Sequence, residues 1–262
     1  MRRNKSKRGI QYGYEAQRWT MHIEKDIKIV DLGLHIKAKK MLVISDVHIG
    51  YEGELHRKGM LIPKFLYRDI VDRVGQMILQ TNPGTIIITG DLKHEFGRIS
   101  EQEWRDVLRF IDFLAKQAKK IVLIKGNHDA ILAPIARKRQ VKVVDHYGFT
   151  LNGKKVYICH GDAIPVNQAF RSSDIIIIGH EHPAVSIKDG VRSEKFKCFL
   201  KGNWKNRLLL ALPSLNLAHE GTDLLAGRLL SPFLQGNISN FEVYVANLPE
   251  PLHFGKLKNL HG

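Results

Sequence analysis

Cysteine is scarce in this chain: Cys159 and Cys198 are the only two among 262 residues, and their spacing suggests no pairing. A disulfide framework is therefore not expected, and a reducing compartment suits the composition. Long apolar runs are missing too. The longest, at 85–89, 121–124, 175–178 and 208–212, fall far short of the roughly 20 residues that a membrane-spanning helix needs. The N-terminus is basic but lacks the apolar stretch of a secretory signal, so no membrane association and a cytoplasmic location are expected. Acidic side chains are the third shortage. Asp and Glu number 26 against 41 Lys and Arg, a formal net charge of +15. Such an excess favours a polyanionic partner, nucleic acid before an anionic membrane surface, although a merely solubilising surface has the same signature.

What is present is ordinary in bulk. Apolar residues make up 44% and charged residues 26%, enough for the core of one large α/β domain. Residues 1–20 stand apart: Arg2, Arg3, Lys5, Lys7, Arg8 and Arg18 face a lone Glu15, without apolar periodicity. They read as a mobile basic arm, or as an extension upstream of a start at Met21. No repeat or linker interrupts the rest, and 21–262 reads as one domain. Short apolar segments predict strands at 28–36, 41–45, 85–89, 121–125, 141–144, 150–151, 156–159, 174–178, 196–200, 208–212 and 241–246. Helical spacing predicts helices over 65–80 and 101–119. Ser100 is the expected N-cap of the second, with Glu103 completing a capping box. A short helix is expected after Asp129, and Asn152-Gly153 marks a hairpin turn.

The informative feature is where the strands stop. The first of five motifs is Asp46-Val47-His48, after 41–45. Gly90-Asp91 and His94 follow 85–89, and Gly126-Asn127-His128-Asp129 follows 121–125. His160-Gly161-Asp162 ends 156–159, and Gly179-His180-Glu181-His182 ends 174–178. Alone, each motif reads more readily as a turn former or a surface histidine. Five at strand carboxyl ends, where α/β sheets build ligand sites, point to one site. Imidazole, carboxylate and carboxamide without thiolate suit Mn2+, Fe2+ or Zn2+. The set exceeds what one ion needs. Two ions roughly 3.5–4 Å apart would clamp attacking and leaving oxygens in phosphoryl transfer, each lowering the pKa of bound water toward about 7.

In this order the motifs resemble the calcineurin-like metallophosphoesterase superfamily. The resemblance implies a four-layer α/β/β/α sandwich of two mixed sheets flanked by helices. It implies that Asp46, His48 and His182 hold one metal, that Asn127, His160 and His180 hold the other, and that Asp91 bridges them. His128 would act on the phosphate as general acid or transition-state stabiliser, oriented by Asp129, and His94 is similar to the phosphate-contacting histidine of SbcD-like nucleases. Lys93 stands where those often carry an aromatic, and Asp162 where they carry a histidine, so Asp162 is left out of the ligand set. SDVHIGYEGELHRKGMLIP (45–63), GHEHP (179–183), LKGNW (200–204) and LPSLN (212–216) are similar to the ICC-like, or DNA ligase-associated, branch. That branch implies a DNA-repair setting and a helicase or ligase partner. Among the metals Mn2+ is favoured, with Fe2+, Zn2+ or Ni2+ as alternatives.

The expected function is hydrolysis of phosphodiester bonds, of nucleic acid first, by attack of a metal-bound hydroxide. The alternatives are a phosphatase or phosphodiesterase of small nucleotides and an inactive scaffold. A scaffold would be expected to lack ligands, and none is missing here. The stretch 192–207 interleaves basic residues with Phe196, Phe199 and Trp204, which makes Lys197, Lys201 and Lys205 candidate nucleic-acid contacts. The opposing reading is a strand pair with its aromatics turned inward. His22, His35, His56, His146, His219, His253 and His261, outside the motifs, read as surface or structural residues.

Overall fold

A computed structural model describes residues 20–60, 66–96, 99–129, 132–139, 141–190, 192–246 and 250–260. Residues 1–19 of the expected basic arm lie outside these. The apolar runs become the inner strands of two sheets. The first has the order β1 (Met21–Glu24), β2 (Ile27–Val30), β3 (Gly33–Ile36), β4 (Met41–Ile44), β5 (Thr85–Thr89), β6 (Lys120–Ile124) and β7 (Lys142–Val144). Its first four strands form an antiparallel meander, and β4 to β7 run parallel. The strand expected over 28–36 is in fact two strands, because Asp31 adopts a positive φ of 53° and turns the chain back on itself. A similar reversal at Asp26 (φ 63°) produces β1, which the sequence reading missed.

Helices α1 (Tyr51–Arg57), α2 (Leu66–Thr81), α3 (Glu101–Ala115) and α4 (Leu132–Arg139) alternate with the parallel strands. Ile70, Val74 and Met77 of α2 and Val107, Phe110, Ile111 and Leu114 of α3 recur at helical spacing and join the core cluster of the first sheet. Burying each such side chain contributes about 1.5–3 kcal/mol. Ser100 caps α3 as expected, accepting from the Glu103 amide at 3.1 Å. The capping box does not close: the Glu103 carboxylate reaches instead to the amides of His94 (2.7 Å) and Glu95 (3.0 Å).

The second sheet contains β8 (His146–Leu151), β9 (Lys154–Cys159), β10 (Ile175–Ile178), β11 (Pro183–Asp189), β12 (Arg192–Trp204), β13 (Arg207–Ala211), β14 (Thr222–Asp223), β15 (Glu242–Val245) and β16 (Leu252–Lys256). Strands β9, β10 and β13 are parallel, and β8 and β9 form the hairpin at Asn152-Gly153. Alternation splits this sheet between two cores. Ile175, Ile177 and Leu210 join Val43 and Ile87 of the first sheet in the central cluster. Ile176, Ile178 and Leu209 face outward. They are covered there by Phe170 of the one-turn helix α5 (Gln168–Arg171) and by Phe233, Leu234 and Ile238. The α/β architecture is thus two mixed sheets flanked by helices, with the fourth layer thin. Cys159 and Cys198 are buried free thiols. Among the described residues no helix is long and apolar enough to cross a membrane.

Candidate dinuclear metal centre

Past Ile44 the chain does not continue as strand. Asp46 and His48 take positive φ angles of 50° and 47°, and Asp91 (48°), His180 (67°) and His182 (54°) do the same. Left-handed backbone at non-glycine residues costs free energy and persists only where surroundings enforce it, which is typical of functional sites. Here a backbone zipper enforces it. Asp46 N donates to Gly90 O at 3.3 Å, His48 N to Asp91 O at 2.9 Å and Ile49 N to Leu92 O at 3.0 Å. Gly90 and Gly179 are required by close approach. A Cβ at Gly90 would lie 2.1 Å from His160 Nδ1, and one at Gly179 1.9 Å from Ser45 Oγ.

Two clusters of donor atoms result. In the first, His48 Nε2 and His182 Nε2 are 3.3 Å apart, and Asp46 Oδ1 lies 3.2 Å from His182 Nε2. Asp46 Oδ2 accepts from Ser45 Oγ (2.5 Å) and His180 N (3.0 Å), while Oδ1 is buried with no hydrogen-bond partner among the described residues. In the second, His160 Nε2 is 2.9 Å from Asn127 Oδ1, 3.2 Å from His180 Nδ1 and 3.3 Å from Asp91 Oδ2. Asp91 Oδ2 also lies 3.8 Å from His48 Nε2, so one carboxylate oxygen faces both clusters. His160 Nδ1 donates to Thr89 O at 3.1 Å, which fixes the ring with Nε2 directed inward.

The electrostatics ask for cations. Burial opposes ionisation of Asp46, yet the imidazoles of His182, His160 and His48 hold it well below the usual carboxylate range. Burial likewise opposes ionisation of Asp91, and the His160 hydrogen bond overrides it. Burial would lower His160, but the hydrogen bond and charge of Asp91 with the charge of Asp46 push it up to about 10. Burial drives His48 well below its ordinary value. An orphaned buried oxygen, converging imidazole nitrogens and a shared carboxylate fit two divalent ions.

His128 stands at the rim. Its amide donates to Asp91 Oδ1 at 2.9 Å, and its Nδ1 is hydrogen-bonded to the backbone oxygen of His94. This corrects the role expected of Asp129. That buried carboxylate accepts from Gly126 N (3.0 Å) and Lys93 N (3.4 Å), closing the turn rather than steering the imidazole. Burial, with the charge of Asp91 next, pushes Asp129 up to about 6. His94 Nδ1 lies 3.3 Å from His48 Nδ1, and its Nε2 is held by the Glu54 carboxylate. Phe96 is 64% exposed and lies over the His128 ring, with centroids 3.6 Å apart. Asp162 is exposed.

The lysines divide. Lys197 is not a nucleic-acid contact: it is 5% exposed, and its ammonium donates to Ser214 O at 2.7 Å and to Asn216 O. Lys201 pairs with Glu24 at 3.1 Å, and exposed Lys205 lies 4.8 Å over the Trp204 ring. Three further features escaped the sequence reading. They are the Glu103 brace beneath His94, the Ser214–Asn216 clamp and the placement of His219, whose ring lies 4.9 Å from that of His182. Their partners are distant in sequence, and no local motif marks them.

No curated protein matches this chain in sequence. Among solved structures, the Pseudomonas putida nuclease MPE superposes with a TM-score of 0.62 at 19% identity, over 89% of this chain and 98% of that one. Yfce, a phosphoesterase from E. coli, matches with a TM-score of 0.39 at 14% identity, over 78% and 86% of the two chains. The Calcineurin-like phosphoesterase family matches residues 39–203, which include every residue of the two donor clusters, and the chain belongs to that family of metal-dependent phosphoester hydrolases.

Proposed function

We propose that this enzyme is a dinuclear phosphodiesterase acting on nucleic acid, single strands preferred, with Mn2+ as the favoured ion and a setting in DNA repair beside a helicase or ligase. The observation that carries the chemistry is the position of Asp91 Oδ2, 3.3 Å from His160 Nε2 and 3.8 Å from His48 Nε2. Asp46, His48 and His182 would hold one ion, Asn127, His160 and His180 the other, with Asp91 shared. Bound there, two divalent ions would activate a water and neutralise phosphoryl charge. The chain's own residues do the rest. His94 O accepts from Nδ1 and fixes the His128 ring with Nε2 toward the site, where the doubly protonated imidazolium form would hand its Nε2 proton to the leaving oxygen and return to the neutral ring. Glu103 and Glu54 keep His94 in place beneath it.

The polymer substrate is supported by the +15 charge and by the name of the Pseudomonas putida neighbour, which is called a nuclease. Lys205 is the solvent-facing cation retained as a phosphate contact. The test compares single-stranded DNA, duplex DNA, RNA and cyclic nucleotides, with chelator and Mn2+ add-back controls. Cleavage of single strands should dominate, and affinity should fall with salt at a log–log slope of about −0.7 per phosphate contact. Faster turnover of cyclic or mononucleotides than of any polymer at low salt replaces the nuclease reading with the small-molecule one.

A further inference from the structure

The segment between β13 and β14 is built as an arm across the first donor cluster. Leu215 N donates to Ser45 O at 2.9 Å, Ser214 Oγ to Asp46 O at 2.8 Å, and Asn216 Nδ2 to His48 O at 3.2 Å. Asn216 Oδ1 then accepts from Ala218 N at 2.9 Å, and Thr222 N closes the far end on His182 O at 2.8 Å. Gly221 is obligatory there. Its φ is +101°, and a Cβ would lie 2.5 Å from His182 O. The arm is thus tied at one end to the Asp46–His48 turn and at the other to His182, and His219 sits at its crest.

The His219 ring has a defined tautomer. Gly221 N donates to His219 Nδ1 at 3.1 Å, so Nδ1 supplies a lone pair and the proton of the neutral ring is on Nε2. Among the described residues that Nε2–H has no hydrogen-bond partner. The rings follow one another as neighbours: His128 is 4.8 Å from His48, His48 is 5.1 Å from His182, and His182 is 4.9 Å from His219. Tyr51 closes the rim, 4.7 Å from His94 and 6.2 Å from His219. His128 and His219 therefore stand beside different rings of the Asp46–His48–His182 cluster, His128 beside His48 and His219 beside His182.

We propose that His219 is a second substrate contact of this phosphoesterase, donating its Nε2–H to a non-bridging phosphoryl oxygen on the His182 side of the cluster. A tetrahedral phosphoester has oxygens pointing in divergent directions, and a donor at one end cannot serve an oxygen at the other. A neutral imidazole with its proton fixed by a backbone amide is ready for that task without reorganisation. The inference rests on the phosphoesterase reading but not on the nucleic-acid substrate.

The experiment uses the metal-loaded full chain and the variants His219→Ala and His219→Gln, the latter retaining a side-chain N–H donor. Turnover is followed on bis(p-nitrophenyl) phosphate, inorganic phosphate binding by calorimetry and metal content by mass spectrometry. His219→Ala should lower kcat/KM and weaken phosphate binding about 10- to 100-fold, the range for one hydrogen bond to a charged group. Metal content should stay at the wild-type level, and His219→Gln should recover most of the loss. Wild-type kinetics and phosphate affinity in His219→Ala overturn the proposal. So does metal loss in both variants, which would make the residue a prop for His182. If the wild type hydrolyses the diester but no nucleic acid, the substrate reading falls and the His219 comparison stands. If the wild type does not hydrolyse the diester at all, the phosphate affinities of the same variants still decide the contact.

Discussion

Lys197 and Ser214 are joined by a 2.7 Å hydrogen bond from a buried ammonium to a backbone carbonyl, and Ser214 passes the connection on to Asp46 O. A strand of the second sheet thereby holds the Asp46–His48 turn of the first. Lys197→Met keeps the apolar stem but removes the clamp. Metal affinity should fall about 10- to 100-fold, as is usual when an outer support of a metal site is lost. Dialysis against graded Mn2+ followed by metal analysis checks it.

The same lysine gives a pH signature. Burial, with Arg73 adding repulsion against the attraction of Asp46 and Asp31, pushes the ammonium from 10.5 down to about 7. Below about 7 both folded and unfolded chains carry this charge and folding bears its desolvation, whereas toward pH 10.5 both lose it. Wild-type stability relative to Lys197→Met should therefore rise as pH goes from about 7 to about 10. Thermal unfolding of both proteins at each pH measures this, and a constant Tm difference contradicts it.

Asp91→Asn removes the charge that faces both clusters at 3.3 Å and 3.8 Å. Turnover should vanish and occupancy of both ions should drop. Full activity, or loss of one ion alone, contradicts the shared-carboxylate assignment.

His128→Ala should keep both ions, because the ring is held by a backbone oxygen through Nδ1 and its Nε2 stands 3.9 Å from Asp91 Oδ2. Its kcat should fall about 10²- to 10⁴-fold, the range for an acid–base group. The loss should shrink on esters with good leaving groups if His128 protonates the leaving oxygen. A uniform loss would assign it to charge stabilisation instead.

Gly90→Ala tests the backbone geometry. The new methyl would lie 2.1 Å from His160 Nδ1, at a φ of +82°. Stability should fall by at least about 1–2 kcal/mol from the left-handed backbone alone. Metal loss should appear first at the Asn127–His160–His180 side. Unchanged occupancy of that side would show that His160 has room to move.

The sequence by itself determined which donor-type side chains end the strands and which strands deliver them. Apolar runs of four or five residues must be buried, and the polar residue that ends each run must emerge at a sheet edge. Asp46, Asp91, Asn127, His160 and His180 were therefore legible without coordinates. Ser100 as a helix cap and Asn152-Gly153 as a turn were legible for the same local reason. Tertiary structure decided which distant groups brace that edge. Lys197 looked like a phosphate contact because charge usually means exposure, yet the backbone carbonyls of Ser214 and Asn216 draw it inward. Glu103 had the spacing of a capping box, but the amides of His94 and Glu95 compete for its carboxylate. His219 carried no motif, and its place beside His182 follows from the hydrogen bonds that tie the 214–222 arm to both ligand turns. Periodicity records which residues are buried. It does not record which partner a buried or half-buried polar group will find across the fold.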